Sequence, residues 1–216
     1  MDGQGHIEIH RNDLWGSSLR ALGSFRSSRL KNRIQIQFIS ESGVPEAGID
    51  GGGLFKEFLE ELCGIGFDAN PEGIGLFTST SAELLVPSPC ADVTLGRDLS
   101  LSYFHFMGKI LGKAVYERIL VETEFSPVFL NILLGRVNQT DDLIHLDSAL
   151  HRSLMQMKRY MSSGKSIEDL GLFFEVSRCL NDKSFLSTEV RWHFSSKFYK
   201  HSLTFYLPCT HDLYSH

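Results

Sequence analysis

The sequence predicts an α+β fold that is mainly helical, and three observations predict it. Residues 33–40, "RIQIQFIS", alternate Ile34, Ile36 and Phe38 with polar neighbours, which is the period of a half-buried strand. Longer segments at 53–62, 100–121, 126–135 and 146–161 instead space apolar residues three and four apart, the period of a helix. Short runs bounded by glycine and proline, such as "GLFTSTSAELLVPSPCAD" at 75–92, lie between them and suit small paired strands.

In chain order, "HIEIH" (6–10) alternates, and a helical pattern follows around Leu14, Leu19, Leu22 and Phe25. After the strand at 33–40, Gly51–Gly53 precede Leu54, Phe55, Phe58, Leu59 and Leu62, a helix expected to stop at Gly64 and Gly66. Segment 75–92 reads as a short hairpin or paired loop, with Pro87 and Pro89 restricting the backbone. From Ser100 to Val121 apolar residues fall on nearly every face, so the segment is expected to be a central, mostly buried helix that serves folding only. At 126–135 Ser126 suits the N-cap, Pro127 the first helical position and Gly135 the place past the end. Residues 146–161 predict an amphipathic helix, and "LGLFFEV" (170–176) an apolar strand.

Residues 191–216 change character. They hold seven aromatic residues and four of the nine histidines, with a charge of +2 against −7 for residues 1–190. No single period runs through them, so a boundary is placed near 190 and the tail is expected to be poorly ordered.

Composition narrows the function. With 42% hydrophobic and 22% charged residues in 216, the chain has ordinary globular proportions. A net charge of −5 supplies no electrostatic reason for a nucleic-acid partner. No window is long and apolar enough for a membrane span, and "MDGQGHIEIHRNDLWG" lacks the apolar core of a signal peptide. An intracellular location, cytoplasmic or nuclear, is therefore expected, with Cys63, Cys90, Cys179 and Cys209 as free thiols far apart in sequence.

Three chemistries can be weighed against these residues. A phosphate-binding loop needs a Gly-Lys-Ser/Thr triplet at fixed spacing; "GIDGGGLFKEF" has no Gly-Lys pair, and "GKILGKAV" follows Lys113 with Ala114. The glycines are then expected to let the strand-to-helix turn bend and pack closely, and no nucleotide or other cofactor is expected. A reactive thiol needs a nearby cation or helix N-terminus; Cys179 beside Arg178 and Cys209 near His211 are the candidates, whereas Cys63 ends an apolar face. His201, Cys209, His211 and His216 match no metal-finger spacing, so no metal site is expected.

Taken in order, four stretches resemble the amino-terminal lobe of the HECT domain of ubiquitin ligases. They are "AGIDGGGLFKEFLEEL" (47–62) with "GFD" (66–68), "GLFTST…LLVPSP" (75–89), "FHFMGKILGKAVYERILVETEFSPVFLNILLG" (104–135) and "LDSALHRSLMQMKRY…IEDLGLFFEV" (146–176). The version is most similar to the branch of large ligases of the UBE-three-B and UBE-three-C type and their plant relatives. The resemblance implies a partial HECT domain over 1–190, with a small, incomplete α/β subdomain beginning at 146–190, and a non-family tail at 191–216. It also implies a ubiquitin-protein ligase that accepts ubiquitin from a conjugating enzyme as a thioester and passes it to a substrate lysine.

The family's catalytic cysteine follows a threonine in a later lobe. "LPCTHDLYSH" places Cys209 before Thr210, so Cys209 is not that cysteine by motif, no catalytic residue is assigned, and the chain is expected to be truncated before that lobe. By motif, the groove that takes the conjugating enzyme falls on Leu150, Leu154 and Met157, one stripe of the helix at 146–161, and on Leu170 and Leu172, which would share a strand face. The same five residues could instead be ordinary core. Because the groove's second wall is expected to be missing, docking of the conjugating enzyme is expected to be weak or lost, with ubiquitin engaged only indirectly. A non-catalytic competitor for conjugating enzymes and a small thiol enzyme using Cys209 with His211 are the alternatives.

Overall fold

The computed structural model describes residues 6–47, 52–70 and 72–171, with the backbone of 175–179 and 185–189. The chain forms two compact units, one built mainly from Met1–Ser79 and Leu85–Glu124, the other mainly from Phe125–Arg178. The architecture is α+β and mainly helical, with three separate two-stranded sheets among the described residues. Among the described residues no helix is long and apolar enough to cross a membrane.

The first unit opens with β1 (Ile7–His10), which pairs in parallel with β2 (Ile36–Ile39), Ile7 opposite Ile36 and Ile9 opposite Phe38. A parallel pair needs a crossover between its strands. Here α1 (Leu14–Leu22) and α2 (Ser27–Leu30) supply it. The helical pattern read around Leu14 stops at Leu22, so Phe25 lies beyond the helix, yet it is buried. Ile34, Ile36 and Phe38 are all buried, as their alternation predicts. Ile39 is buried as well, so this end of the strand is covered on both faces.

Helix α3 spans Gly53–Gly66, with Gly52 as its N-cap at φ 109°. That left-handed conformation is the reason for glycine at the turn. Close packing is not: a Cβ at Gly52 or Gly53 would meet nothing within 4 Å, which corrects half of the sequence reading, and Gly51 lies outside the described residues. The helix does not stop at Gly64 either; it runs through to Gly66 and is capped at Phe67. Gly66 has a different role. A Cβ there would collide with the thioether end of Met107 and approach the Trp15 ring at 3.1 Å.

The expected hairpin forms as β3 (Phe77–Ser79) and β4 (Leu85–Pro87), antiparallel, with Phe77 opposite Pro87. After α4 (Ala91–Leu95) comes α5 (Arg97–Glu117), which ends where Arg118 adopts a left-handed φ of 59°. This helix departs from the expectation of near-complete burial. Phe106, Met107, Ile110, Lys113 and Ala114 form one buried stripe, while Leu101, Val115 and Tyr116 are more than half exposed. Apolar residues on all sides thus do not make α5 a core helix; it is buried along one stripe and leaves apolar side chains on its outer face.

Aromatic contacts bind these elements. Trp15 on α1 meets Tyr103 and Phe106 on α5 edge to face at 5.2 and 5.7 Å, and Phe77 on β3 joins Phe67 to Phe104 at 5.2 and 5.7 Å. Such pairs add about 0.5–1.5 kcal/mol each beyond the area they bury.

Cations close the seam. The ammonium of Lys109 donates to the Gly23 carbonyl at 2.7 Å, and that of Lys113 donates to the Asn32 carbonyl at 3.0 Å and to the Glu117 carboxylate. Lys113 is 3% exposed, so those acceptors are what make its charge tolerable in the interior. The two lysines of "GKILGKA" are therefore engaged in structural contacts. Arg11, directly after β1, forks onto Glu46 at 3.0 Å through two nitrogens and also reaches Glu57 and Glu61 on α3 at 2.6 and 2.7 Å, with its guanidinium over the Phe38 ring. These contacts hold Arg11 charged and keep the Glu46 carboxyl below the ordinary glutamate range.

The second unit holds α6 (Pro127–Leu133), a 3-10 turn at Thr140–His145, α7 (Ser148–Ser162) and a second 3-10 turn at Ile167–Leu170. Strands β5 (Glu175–Cys179) and β6 (Phe185–Glu189) pair with each other. Ser126 and Pro127 take the N-cap and first-turn positions, although the Ser126 hydroxyl donates to the His145 carbonyl instead of capping α6.

Two stability measurements check this packing. Chemical denaturation should find Gly66→Ala destabilised by about 1–3 kcal/mol, because Met107 is buried and must move. Gly112→Ala, over open space on α5, should be neutral to stabilising by about 1 kcal/mol. A carboxyl whose folded pKa is depressed contributes stability above its unfolded pKa and loses it as pH falls through the folded value. Denaturation midpoints taken from neutral pH into the acid range should therefore fall for the native chain, and fall less steeply for Glu46→Gln.

Candidate functional site

Helix α7 carries the predicted stripe, and local chemistry explains why it forms. Asp147 is its N-cap and accepts from the Ala149 and Leu150 amides at 3.0 and 2.9 Å. This satisfies amides that the first turn leaves without helical partners and sets negative charge at the positive end of the helix dipole. At the other end Ser163 and then Gly164, at φ 79°, turn the chain out of the helix.

No residue of α7 is buried. Leu150 is 48% exposed, and Leu154 and Met157 are half-buried on the same side. Exposed Arg152, Lys158 and Arg159 supply positive charge on the remaining circumference. The ammonium of Lys165 lies 5.1 Å above the Tyr160 ring. The stripe is thus an accessible apolar band bordered by cations, and its residues do not serve as a packed core among the described residues.

Leu170 departs from the expected strand. It ends the 3-10 turn Ile167–Leu170, capped by the Ser166 hydroxyl accepting from the Glu168 amide, and Gly171 follows in the left-handed region. An apolar run cannot remain extended through such a turn, so the strand starts later, at Glu175. Leu170 is 37% exposed, and Leu172 lies outside the described residues.

The wider unit explains the exposure. Between 125 and 171 the only buried side chain among the described residues is Ser126. Polar contacts hold the elements instead: Asn138 donates to the Val128 carbonyl and accepts from Asn131, both at 3.0 Å, and the Gln139 amide donates to Asp142 at 2.7 Å. Ile132, Leu133, Leu134 and Val137 on and after α6 are each more than half exposed. The sequence reading passed over them. The signal was available, since a seven-residue helix as apolar as "PVFLNIL" cannot bury every side without a core around it.

The thiols separate by burial. Cys63 on α3 is 2% exposed, and burial pushes its pKa up to about 12, the behaviour of an inert core thiol. Cys90 is half-buried at the start of α4. The side chain of Cys179, and all of His201, Cys209, His211 and His216, lie outside the described residues.

Residues 64–203 match the HECT-domain (ubiquitin-transferase) family, a match that continues past the composition break at 190. The chain is similar to the E3 ubiquitin-protein ligase UPL6 of Arabidopsis thaliana, at 36% identity over 170 residues, covering 79% of this chain and 16% of the relative. It is 39% identical over 173 residues to the ubiquitin-protein ligase E3B of Homo sapiens, covering 77% and 15%. The E3 ubiquitin-protein ligase HUL5 of Saccharomyces cerevisiae is 35% identical over 173 residues, covering 78% and 18%. The chain thus spans about one sixth of the length of the curated relatives it matches.

Because α7 buries none of its residues, its N-cap should weigh heavily in its stability. Asp147→Ala is expected to cost about 1 kcal/mol of helix stability. Hydrogen exchange should show it as faster exchange in 148–162 with the first unit unchanged.

Proposed function

This chain belongs to the HECT family, and on that premise we propose that it is the part of a HECT-type ubiquitin-protein ligase that docks a ubiquitin-conjugating enzyme. HECT ligases work with conjugating enzymes and with ubiquitin. The observation that carries the reading for this chain is the unburied apolar band on α7, in a unit where Ser126 is the only fully buried side chain among the described residues of 125–171. An exposed, contiguous apolar surface rimmed by charge is the form of a protein-interaction site. Leu150, Leu154 and Met157 would receive apolar side chains of the conjugating enzyme, with Leu170 and Leu172 completing the wall.

The chemistry asks little of such a platform. Ubiquitin passes from the conjugating enzyme's cysteine to the ligase's cysteine by thioester exchange: one sulfur–acyl bond forms as an equivalent one breaks, and the departing thiolate takes up a proton. With so small an energy difference, catalysis consists of bringing donor and acceptor together, and holding the donor is the platform's contribution. Cys63 is not the acceptor, since it is buried and burial raises its pKa. A reducing intracellular compartment, cytoplasmic or nuclear, suits a cysteine that must stay free.

Docking to this chain is weak, because a band of a few half-exposed side chains falls below the roughly 1,200 Å² of standard interfaces. Isothermal titration against ubiquitin-conjugating enzymes should show weak binding that Leu154→Ala reduces by about 1–2 kcal/mol. Unchanged binding by that variant would remove the stripe from the interface. A charging reaction run with and without reductant should leave no ubiquitin on Cys63; a thioester lost in Cys63→Ser would contradict the assignment.

A further inference from the structure

We propose that a trough between α2 and α5, in the first unit, is a docking groove for an acidic peptide segment of a partner protein. Leu30 and Lys31 form one side, and His105, Lys109 and Tyr116 of α5 the other, around a space of about 390 Å³. Lys31 and Tyr116 also border an adjoining depression of about 580 Å³ that reaches Arg33, Lys56 and Ile119, and Glu117, its one acid, is already paired with Lys113. Together they make a track suited to an extended chain rather than an enclosed site for a small molecule.

Charge gives the track its selectivity. Residues 26–33, "RSSRLKNR", hold four cations and no acid in a chain whose net charge is −5. Arg26, Arg29, Lys31 and Arg33 are all exposed; Lys31 and Arg33 border the track, and Arg26 and Arg29 belong to the same segment beside it, with Arg29 held over the Phe25 ring at 3.8 Å. A positive strip on a negative protein attracts an anionic partner locally while the rest of the surface repels it, which fixes both place and register.

The lining is apolar as well as cationic. Leu30 and the exposed Tyr116 face the space, and its floor at Gly108 and Gly112 is bare backbone, where a Cβ would meet nothing within 4 Å. Neither glycine is needed for a left-handed turn, and both weaken the helix they sit in. A peptide that alternates acidic and apolar side chains satisfies the rim and the floor together. A nucleic-acid backbone would meet the cations but not the apolar lining, and the chain's negative charge opposes it.

The test is fluorescence anisotropy of a fluorescein-labelled peptide of alternating Glu and Leu, titrated with the full chain at about 0.15 M salt. Saturable binding that weakens with added salt is expected. Replacing Lys31→Glu and Lys56→Glu together, both exposed and both bordering the track, should weaken it at least about tenfold. Gly112→Leu, which fills the floor without touching the buried stripe, should abolish it, and circular dichroism verifies that each variant stays folded. Equal binding by the variants, no saturation, or tighter binding of a labelled oligothymidylate would overturn the proposal.

Discussion

The first unit depends on a single seam, the buried stripe of α5. Phe106, Met107, Ile110 and Ala114 lie against the helices and strands that precede them in the chain, and each is no more than 2% exposed. Trp15 packs onto the stripe from α1, and Gly66 of α3 comes so close to Met107 that no side chain fits between. Fully burying side chains of this size stabilises by about 1.5–3 kcal/mol apiece, so the seam outweighs any surface ion pair. It also explains the placing of Lys109 and Lys113. One helical turn apart, both reach back to backbone carbonyls in the segment between α1 and β2, pinning that segment to α5.

The Arg11 cluster is a second, electrostatic tie. It joins the end of β1, the segment after β2 and one face of α3 through a guanidinium that serves three carboxylates. Exposed pairs contribute little singly, but a planar fork shared among several acids fixes geometry in a way that isolated pairs do not. The position of α3 against the small parallel sheet follows from that fork and from Phe38 beneath it.

The second unit is built on a different principle. Its helices carry many apolar side chains, yet among the described residues none of these is fully buried. Capping residues and an asparagine network hold it in shape. In a segment related to ubiquitin ligases this contrast supports the docking role proposed for the second unit.

Much of this was legible from residues alone. Strict alternation marked Ile34, Ile36 and Phe38 as buried strand positions, and proline and serine punctuation placed the start of α6, because both signals arise from backbone geometry that any context must respect. The family, too, could be read from ordered motifs. Other features were beyond local pattern. Apolar residues around all of α5 suggested burial, but burial requires a partner on every side, and the fold supplies one on only one side. Gly64 looked like a helix stop and Leu170 like the start of a strand. Of the two glycines expected to end α3 the helix passes Gly64 and stops at Gly66, and the strand starts after Leu170 because a capped 3-10 turn intervenes. The sequence by itself determined which stretches are helical, which are extended and what family they belong to, since those depend on neighbours a few residues apart. Only the tertiary structure decided which apolar faces are hidden and which are offered, because that depends on surfaces brought together from distant parts of the chain.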